Sequence, residues 1–218
     1  MPVFSLMLFL LMSMFLVAML QIHVFEIAFS KLGLTPEATL ALLIGTLLGS
    51  GINLPIFKIK IRDDAHWVRL PGRRPVWELL QPAREGSTVI AVNLGGCVIP
   101  LGLCIYFVSL RLMEPLLLSL SIALIAGLSY RLSRPIPGIG IAMPLFIAPL
   151  AAAFLALLVD PEHAAHFAYV SGVLGVLIGA DLLHLKCVGG LGVPVASIGG
   201  AGTFDGIFLT GLLAALLA

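Results

Sequence analysis

Charged residues are scarce in this sequence. Asp, Glu, Lys and Arg make up 11% of the chain, whereas hydrophobic residues make up 60%. A soluble domain has about a quarter charged residues, so this composition excludes an ordinary soluble fold. Several apolar runs reach the length of about 20 residues that crosses a bilayer. The sequence therefore predicts an integral membrane protein whose first partner is the lipid bilayer, with no nucleic-acid partner.

The chain also lacks a disulfide framework and the features of a cleaved leader. Its three cysteines, Cys97, Cys104 and Cys187, lie in or beside apolar segments and show no metal-ligand spacing. The N-terminal stretch "MPVFSLMLFLLMSMFLVAMLQIHVF" has no basic residue at its start and no small-x-small cleavage site. Its apolar run exceeds the roughly 7–15 residues typical of a signal peptide. We expect it to be a retained first helix.

The apolar runs predict an all-α integral membrane protein with about seven transmembrane helices, forming one multi-pass domain over residues 1–218. The expected spans are 3–28, 36–54, 87–110, 114–131, 139–159, 164–186 and 203–218. A cytoplasmic insertion at about 55–86 separates the second span from the third. Within it, "PIFKIKIR" alternates apolar and basic residues as a half-exposed strand does. This pattern predicts a short hairpin with "VWELL" as the returning strand, and a basic loop attracted to anionic lipid remains the alternative.

Basic residues predict the orientation of the chain. Ten of the twelve Lys and Arg residues fall in links on one side of the predicted spans: Lys58, Lys60, Arg62, Arg69, Arg73, Arg74, Arg84, Arg131, Arg134 and Lys186. Lys31 and Arg111 fall on the other side. Because cytoplasmic loops carry an excess of Lys and Arg, we expect a cytoplasmic N-terminus and a C-terminus outside.

Two aspartates, Asp181 and Asp205, lie in the apolar C-terminal part of the chain. Asp181 precedes Lys186 by five residues, which on a helix places it about 7–8 Å below that cytoplasmic end. Asp205 begins the last predicted span, so antiparallel neighbours would bring both carboxylates to a similar depth. His184 lies one turn after Asp181 on the same helix face.

Three uses of these acids follow from their chemistry. Two aspartates within a few ångströms share one proton, and such a pair activates water and donates to a carbonyl oxygen in peptide hydrolysis. Separate acids within a membrane instead carry protons or Na⁺ along a transport pathway. Third, Asp205 can cap the last helix, which leaves Asp181 without an explanation.

The stretch "CVGGLGVPVASIGGAGT", residues 187–203, has six glycines in seventeen residues and no charge. Glycine at this density breaks a helix and allows close backbone approach. Its backbone can hold an extended peptide by strand addition or coordinate an ion through carbonyls. We predict that Gly199, Gly200, Gly202 and Thr203 contact the substrate. His184 and Asn93 complete the predicted substrate site, although for Asn93 a packing contact between helices is the favoured interpretation.

An aspartate on one helix, followed by a Gly-x-Gly element and an aspartate on the next, resembles the intramembrane aspartyl proteases, the group of presenilin, signal peptide peptidase and the prepilin peptidases. The resemblance implies that Asp181 and Asp205 are the catalytic pair and that Gly200 and Gly202 form the glycine element. The sequence departs from that pattern in having Thr203 and Phe204 before Asp205. The ending "SIGGAGTFDGIFLTGLLA" also resembles an uncharacterised domain-of-unknown-function family of small prokaryotic multi-pass membrane proteins, which implies a prokaryotic inner or plasma membrane location.

These features predict a presenilin-like intramembrane aspartyl protease that cleaves membrane-embedded or membrane-proximal peptides with Asp181 and Asp205. The alternative is a proton- or Na⁺-coupled transporter or channel using the same acids. A structural role with Asp181 paired to His184 or Lys186 is the third reading. The expected partner is a peptide or transmembrane-helix substrate. Hydrolysis by an aspartate pair needs no metal and no organic cofactor, and nothing in the sequence predicts the oligomeric state.

Overall fold

The structure is a computed structural model that describes residues 2–63, 66–69, 78–81, 84–136, 140–200 and 206–218. The helices are α1 (Pro2–Lys31), α2 (Pro36–Gly49), α3 (Ile99–Ser109), α4 (Pro115–Leu132), α5 (Ile147–Val159), α6 (Ala164–Val176), α7 (Leu185–Val188) and α8 (Gly206–Leu217). The strands are β1 (Asn53–Asp63), β2 (His66–Arg69), β3 (Glu78–Gln81), β4 (Arg84–Asn93), β5 (Arg134–Ile136), β6 (Gly140–Ala142) and β7 (Val195–Ile198). Two π-helical segments, Leu94–Val98 and Leu177–Leu182, precede α3 and follow α6.

Local sequence signals explain where α2 and α4 begin. Each helix has a proline in its first turn, where the missing N–H costs nothing. The Thr35 side chain accepts a hydrogen bond from the amide of Ala38, and the Glu114 carboxylate accepts one from Leu117 at 2.7 Å. Both side chains satisfy backbone donors that the helix leaves unpaired.

Strand β4 is the centre of a three-stranded sheet with the order β1-β4-β7. It pairs antiparallel with β1, from Asn53 opposite Asn93 to Asp63 opposite Arg84. On its other edge it pairs parallel with β7, from Val89 opposite Val195 to Val92 opposite Ile198. Two separate hairpins, β2–β3 and β5–β6, complete the sheets of the described chain.

Helix α6 is the central helix, and α3, α4, α5 and α8 pack around it. Its residues Ala168, Tyr169, Val170 and Val173 are fully buried. Helix α4 runs parallel to α6, because residues 125 and 126 approach Gly175 and Gly179 respectively while Tyr130, further along α4, contacts His184.

Helix α8 runs antiparallel to α6. The Lys31 ammonium at the end of α1 donates to the carbonyl of Leu216 at 2.8 Å, and His166 is hydrogen-bonded to the backbone of Leu32. The C-terminal end of α8 and the N-terminal end of α6 therefore lie together. Consequently α8 begins, at Gly206, on the side of the bundle where α6 ends.

The prediction of an all-α protein with seven transmembrane helices is wrong, because the described chain mixes helices with seven strands. Within the described residues, two helices are long and apolar enough to cross a membrane, Pro115–Leu132 and Ala164–Leu182. Four others are apolar but shorter: Pro36–Gly49, Leu94–Ser109, Ile147–Val159 and Gly206–Leu217.

The error has a physical cause. A strand buried on both faces forms a continuous apolar run that periodicity does not separate from a buried helix. Strand β4 occupies the start of the predicted span 87–110, and β6 occupies the start of 139–159. Similarly, helix α2 ends at Gly49, and β1 takes up the end of the predicted span 36–54.

The alternating segment "PIFKIKIR" does form a strand, β1, but its pairing differs from the predicted hairpin. Strand β1 pairs with β4, whereas Glu78–Gln81, which includes the end of "VWELL", pairs with β2. Alternation fixes which residues face the same side of a strand, but it does not identify the partner strand.

Candidate functional site

Asp181 lies in the π-helical segment Leu177–Leu182 at the end of α6. The amide of Leu183 donates to the carbonyl of Ile178 at 3.0 Å, which is the i to i−5 bond of a π-helix. Gly179 lets this segment approach α4, because a Cβ on Gly179 would lie closer than 3.0 Å to backbone atoms of Ala126. Such interruptions of an α-helix are frequent at functional sites.

The Asp181 carboxylate contacts the glycine-rich segment that follows β7. The backbone N–H of Gly199 donates to Asp181 Oδ2 at 3.0 Å, and a bond of this kind to a carboxylate is stronger than a neutral one. Gly199 has a φ of 81°, and a Cβ there would lie 2.6 Å from Cys97 Cβ. Only glycine fits this position, so the close packing on Cys97 is what aims the Gly199 amide at Asp181.

A cavity of about 150 Å³ lies beside Asp181. Its walls come from the π-helical segment, α7, the β5–β6 hairpin and β7, and they include Asp181, Ile141, Leu185, Ser197, Ile198 and Gly200. Asp181 is the acidic residue among the described residues that line it. Since a water molecule occupies about 30 Å³ in the liquid, the cavity has room for about five waters or one side chain.

Strand β7 forms one wall of this cavity and is an edge strand of its sheet. Within the described part of the chain, β7 pairs with β4 on one edge and with no strand on the other. An edge strand presents unpaired N–H and C=O groups to any further strand that arrives. Asp181 and residues of an edge strand therefore line the same cavity.

His184 was predicted to contact the substrate, and the structure places it in the protein interior. The side chain is 7% exposed, its Nδ1 lies 3.1 Å from the carbonyl oxygen of Gly179, and its ring centroid lies 4.7 Å from that of Tyr130. His184 thus joins the π-helical segment to α4, and it is not among the described residues that line the cavity.

Asn93 was also predicted to contact the substrate, and the structure buries it completely. Its Nδ2 donates to the carbonyl of Ser50 at 2.7 Å and to Asn53 Oδ1 at 3.1 Å. Its Oδ1 accepts from the amide of Gly96 at 2.7 Å. Asn53 in turn accepts a hydrogen bond from Ser197 of β7. Asn93 therefore holds together α2, the sheet and the first π-helical segment.

Asn93→Ala is expected to lower the free energy of unfolding by about 2 kcal/mol, because it leaves the buried Ser50 carbonyl and Gly96 amide without a partner. Thermal or denaturant unfolding of the purified protein measures this loss. Ser197→Ala is the control: it removes a bond at the exposed edge of the same cluster and should cost less than about 1 kcal/mol. Equal losses in the two variants would contradict the role of Asn93.

Three of the predicted site residues, Asp205, Gly202 and Thr203, lie outside the described residues. The structure brings Asp181 together with Gly199, whose amide donates to it, and with Gly200, which lines the same cavity. Sequence reasoning missed β7 and the contribution of Ser197 and Ile141. The β-branched residues of "VPVASI" were the available signal for β7, but four strand residues between glycines are a weak one.

Comparison with known proteins gives one family match. No curated protein matches the sequence, and no solved structure matches the fold. The profile of the family described as "Protein of unknown function (DUF1614)" matches residues 47–217, a range that contains Asp181, β7 and the whole described cavity. The chain therefore belongs to the DUF1614 family.

Proposed function

We propose that this protein is a membrane-embedded aspartyl peptidase that uses Asp181 and Asp205 to hydrolyse an extended peptide. The observation that carries the proposal is the shared cavity, which Asp181 and residues of the edge strand β7 both line. The resemblance of the two aspartates and the Gly-x-Gly element to the intramembrane aspartyl proteases supports the same chemistry.

The packing of α5 supports a location within the bilayer. Alanines face the interior, with Ala152 and Ala156 fully buried, whereas Phe154 and Leu158 are 63% and 65% exposed. Helix α4 shows the same arrangement, burying Ser121 while exposing Leu124. Small or polar residues inside and large apolar residues outside are the pattern of helices that pack in lipid, and exposed apolar surface of this extent marks a membrane contact.

The distribution of charge supports the predicted orientation. Arg131, Arg134 and Lys186 follow the ends of α4 and α6, on the side where Asp181 lies. Lys31 and Arg111 lie at the opposite end of the bundle. The excess of basic residues in cytoplasmic segments then puts the Asp181 cavity towards the cytoplasm, with the N-terminus on that side and the C-terminus outside.

Strand β7 supports an extended substrate. A peptide added to its open edge gains main-chain hydrogen bonds without needing a particular sequence. The cavity next to that edge has room for one side chain, and Ile141, Leu185 and Ile198 in its walls offer contacts to an apolar one. We therefore expect cleavage within unwound, apolar segments at the cytoplasmic boundary of the membrane.

The proposed chemistry needs one proton shared between the two carboxyl groups. The ionised carboxylate takes a proton from water while the water oxygen attacks the peptide carbonyl carbon. The protonated carboxyl donates its proton to the carbonyl oxygen. Return of a proton to the nitrogen then breaks the C–N bond and releases an amine and a carboxylic acid. The Gly199 amide holds the Asp181 carboxylate in position for these transfers.

The proposal is tested with the purified chain in lipid nanodiscs, incubated with apolar transmembrane-type peptides that carry a fluorophore and a quencher. Cleavage that a hydroxyethylene peptide isostere inhibits is the expected result, because the isostere mimics the tetrahedral intermediate. In parallel, liposomes containing the protein report proton and Na⁺ flux. Flux without cleavage would reject the peptidase and favour the transporter.

A further inference from the structure

We propose that a second cavity, at the end of α4, binds the phosphate of an anionic phospholipid headgroup. This cavity of about 370 Å³ lies between the end of α4 and the β5–β6 hairpin. Its walls include Arg131, Leu132, Arg134, Ile136, Met143 and Pro144. It is separate from the Asp181 cavity, whose walls include Ile141 of the same hairpin.

Two guanidinium groups are the charged groups of this cavity. No acidic residue is among its described lining, and within the described chain neither Arg131 nor Arg134 forms an ion pair with a carboxylate. Guanidinium groups bind phosphate oxygens through two parallel N–H bonds. Two uncompensated arginines at one cavity therefore fit an anion with several oxygens.

The surface below Arg131 fits an acyl chain. Leu116, Leu120 and Leu124 are 66%, 54% and 60% exposed, and their spacing puts them on the helix face that carries Gly127 and Arg131. A Cβ on Gly127 would meet no atom within 4 Å, so this face is open and shallow there. Leu120 lies about 17 Å from Arg131 along the helix axis. This distance is close to half the thickness of the hydrocarbon core of a bilayer, which is about 30 Å.

Helix α4 is also long and apolar enough to cross a bilayer. Its last turn would then lie at the level of the lipid phosphates. A phosphate bound between Arg131 and Arg134 would have its acyl chain on the leucine face, which makes a whole phospholipid a better occupant than a free phosphate. This site rests on the membrane location given under the proposed function, but it does not depend on peptidase activity.

The test measures lipid retention by the purified full chain with native mass spectrometry, after exchange into equal amounts of dioleoyl phosphatidylglycerol and dioleoyl phosphatidylcholine. Wild-type protein should retain the anionic lipid preferentially. Combining Arg131→Gln with Arg134→Gln should reduce this preference about 25-fold, because each charge near an anionic lipid contributes about five-fold. Arg131→Lys with Arg134→Lys keeps both charges and should retain most of the preference.

Lys186→Gln is the matched control, since Lys186 is basic and lies on the same side of the bundle but outside the cavity. An equal loss in this variant, or no loss in the double glutamine variant, would overturn the site.

Competition experiments test the occupant of the cavity. Glycerol 3-phosphate that competes as well as the whole lipid would overturn the acyl-chain contact. An acidic peptide that competes as well as the lipid would overturn the assignment to a lipid. A wild-type protein recovered outside the membrane fraction would reject the membrane location, whereas membrane-bound protein without lipid preference would reject this site alone.

Discussion

Asp181→Asn is expected to lower the rate of peptide cleavage by at least about a thousandfold, with little change in stability. Asparagine keeps an oxygen that can accept the hydrogen bond from the Gly199 N–H. In the wild type this nitrogen lies 3.0 Å from Asp181 Oδ2. Asparagine has no proton to share and cannot take one from water. General acid–base catalysis contributes about 10²–10⁴-fold, and loss of the shared proton removes this contribution from both partners. Cleavage of the quenched peptide in nanodiscs measures the rate.

Asp160→Asn is the control for this prediction. Asp160 lies at the opposite end of α6, where its Oδ1 accepts the amide of His163 at 3.1 Å, and asparagine can keep that bond. The cleavage rate of this variant should stay within about twofold of wild type, since Asp160 is remote from Asp181 and asparagine keeps an oxygen for the hydrogen bond from His163. A thermal midpoint that is unchanged in both variants shows that any loss is chemical. If Asp181→Asn keeps more than a tenth of the wild-type rate, Asp181 is not catalytic.

Gly179→Ala is expected to lower the free energy of unfolding by at least about 3 kcal/mol, the upper end for overpacked interiors. The added Cβ would lie closer than 3.0 Å to three backbone atoms of Ala126. Backbone atoms of a packed helix do not move aside as a flexible side chain does, so α4 and α6 must separate. Because Gly179 lies two residues before Asp181, cleavage should fall together with stability.

Gly102→Ala is the matched control, because Gly102 lies within α3 and a Cβ there would meet no atom within 4 Å. This variant should be neutral or up to about 1 kcal/mol more stable, since alanine favours a helix over glycine. Denaturant unfolding of both variants gives the comparison. Similar stabilities for Gly179→Ala and Gly102→Ala would mean that the contact between α4 and the π-helical segment is looser than described.

The sequence predicted the helix bodies better than the sheet. The expected span 114–131 nearly coincides with α4, and 164–186 contains α6 with the π-helical segment and the first half of α7. A proline and a capping side chain begin α4, so local chemistry defines its start. In contrast, Val89–Val92 of β4 form an unbroken apolar run. Their strand conformation depends on pairing with β1 and β7, which local sequence does not encode.

The candidate site was predictable only in part. Asp181 and the glycines at 199 and 200 stood out, because a carboxylate in a predicted membrane span is costly and dense glycine breaks a helix. For His184 the sequence predicted a substrate contact, whereas for Asn93 it favoured a packing contact between helices over a substrate contact. Both are polar residues in apolar runs, and only the fold shows that the hydrogen bonds described for them go to neighbouring protein groups. Polar side chains that join segments and those that face a cavity look the same in a sequence.

The parallel pairing of β4 with β7 also has a consequence for biosynthesis. The ribosome completes β4 about a hundred residues before β7. Val89 can therefore pair with Val195 only after α3 to α7 have been synthesised. Contacts of such long sequence separation form late and slowly. The wall of the Asp181 cavity thus closes only after β7 has been synthesised, and a nascent or truncated chain that ends before β7 would have no strand edge to offer a peptide. A hydrolase assembled in this order would stay inactive until β7 has joined the sheet.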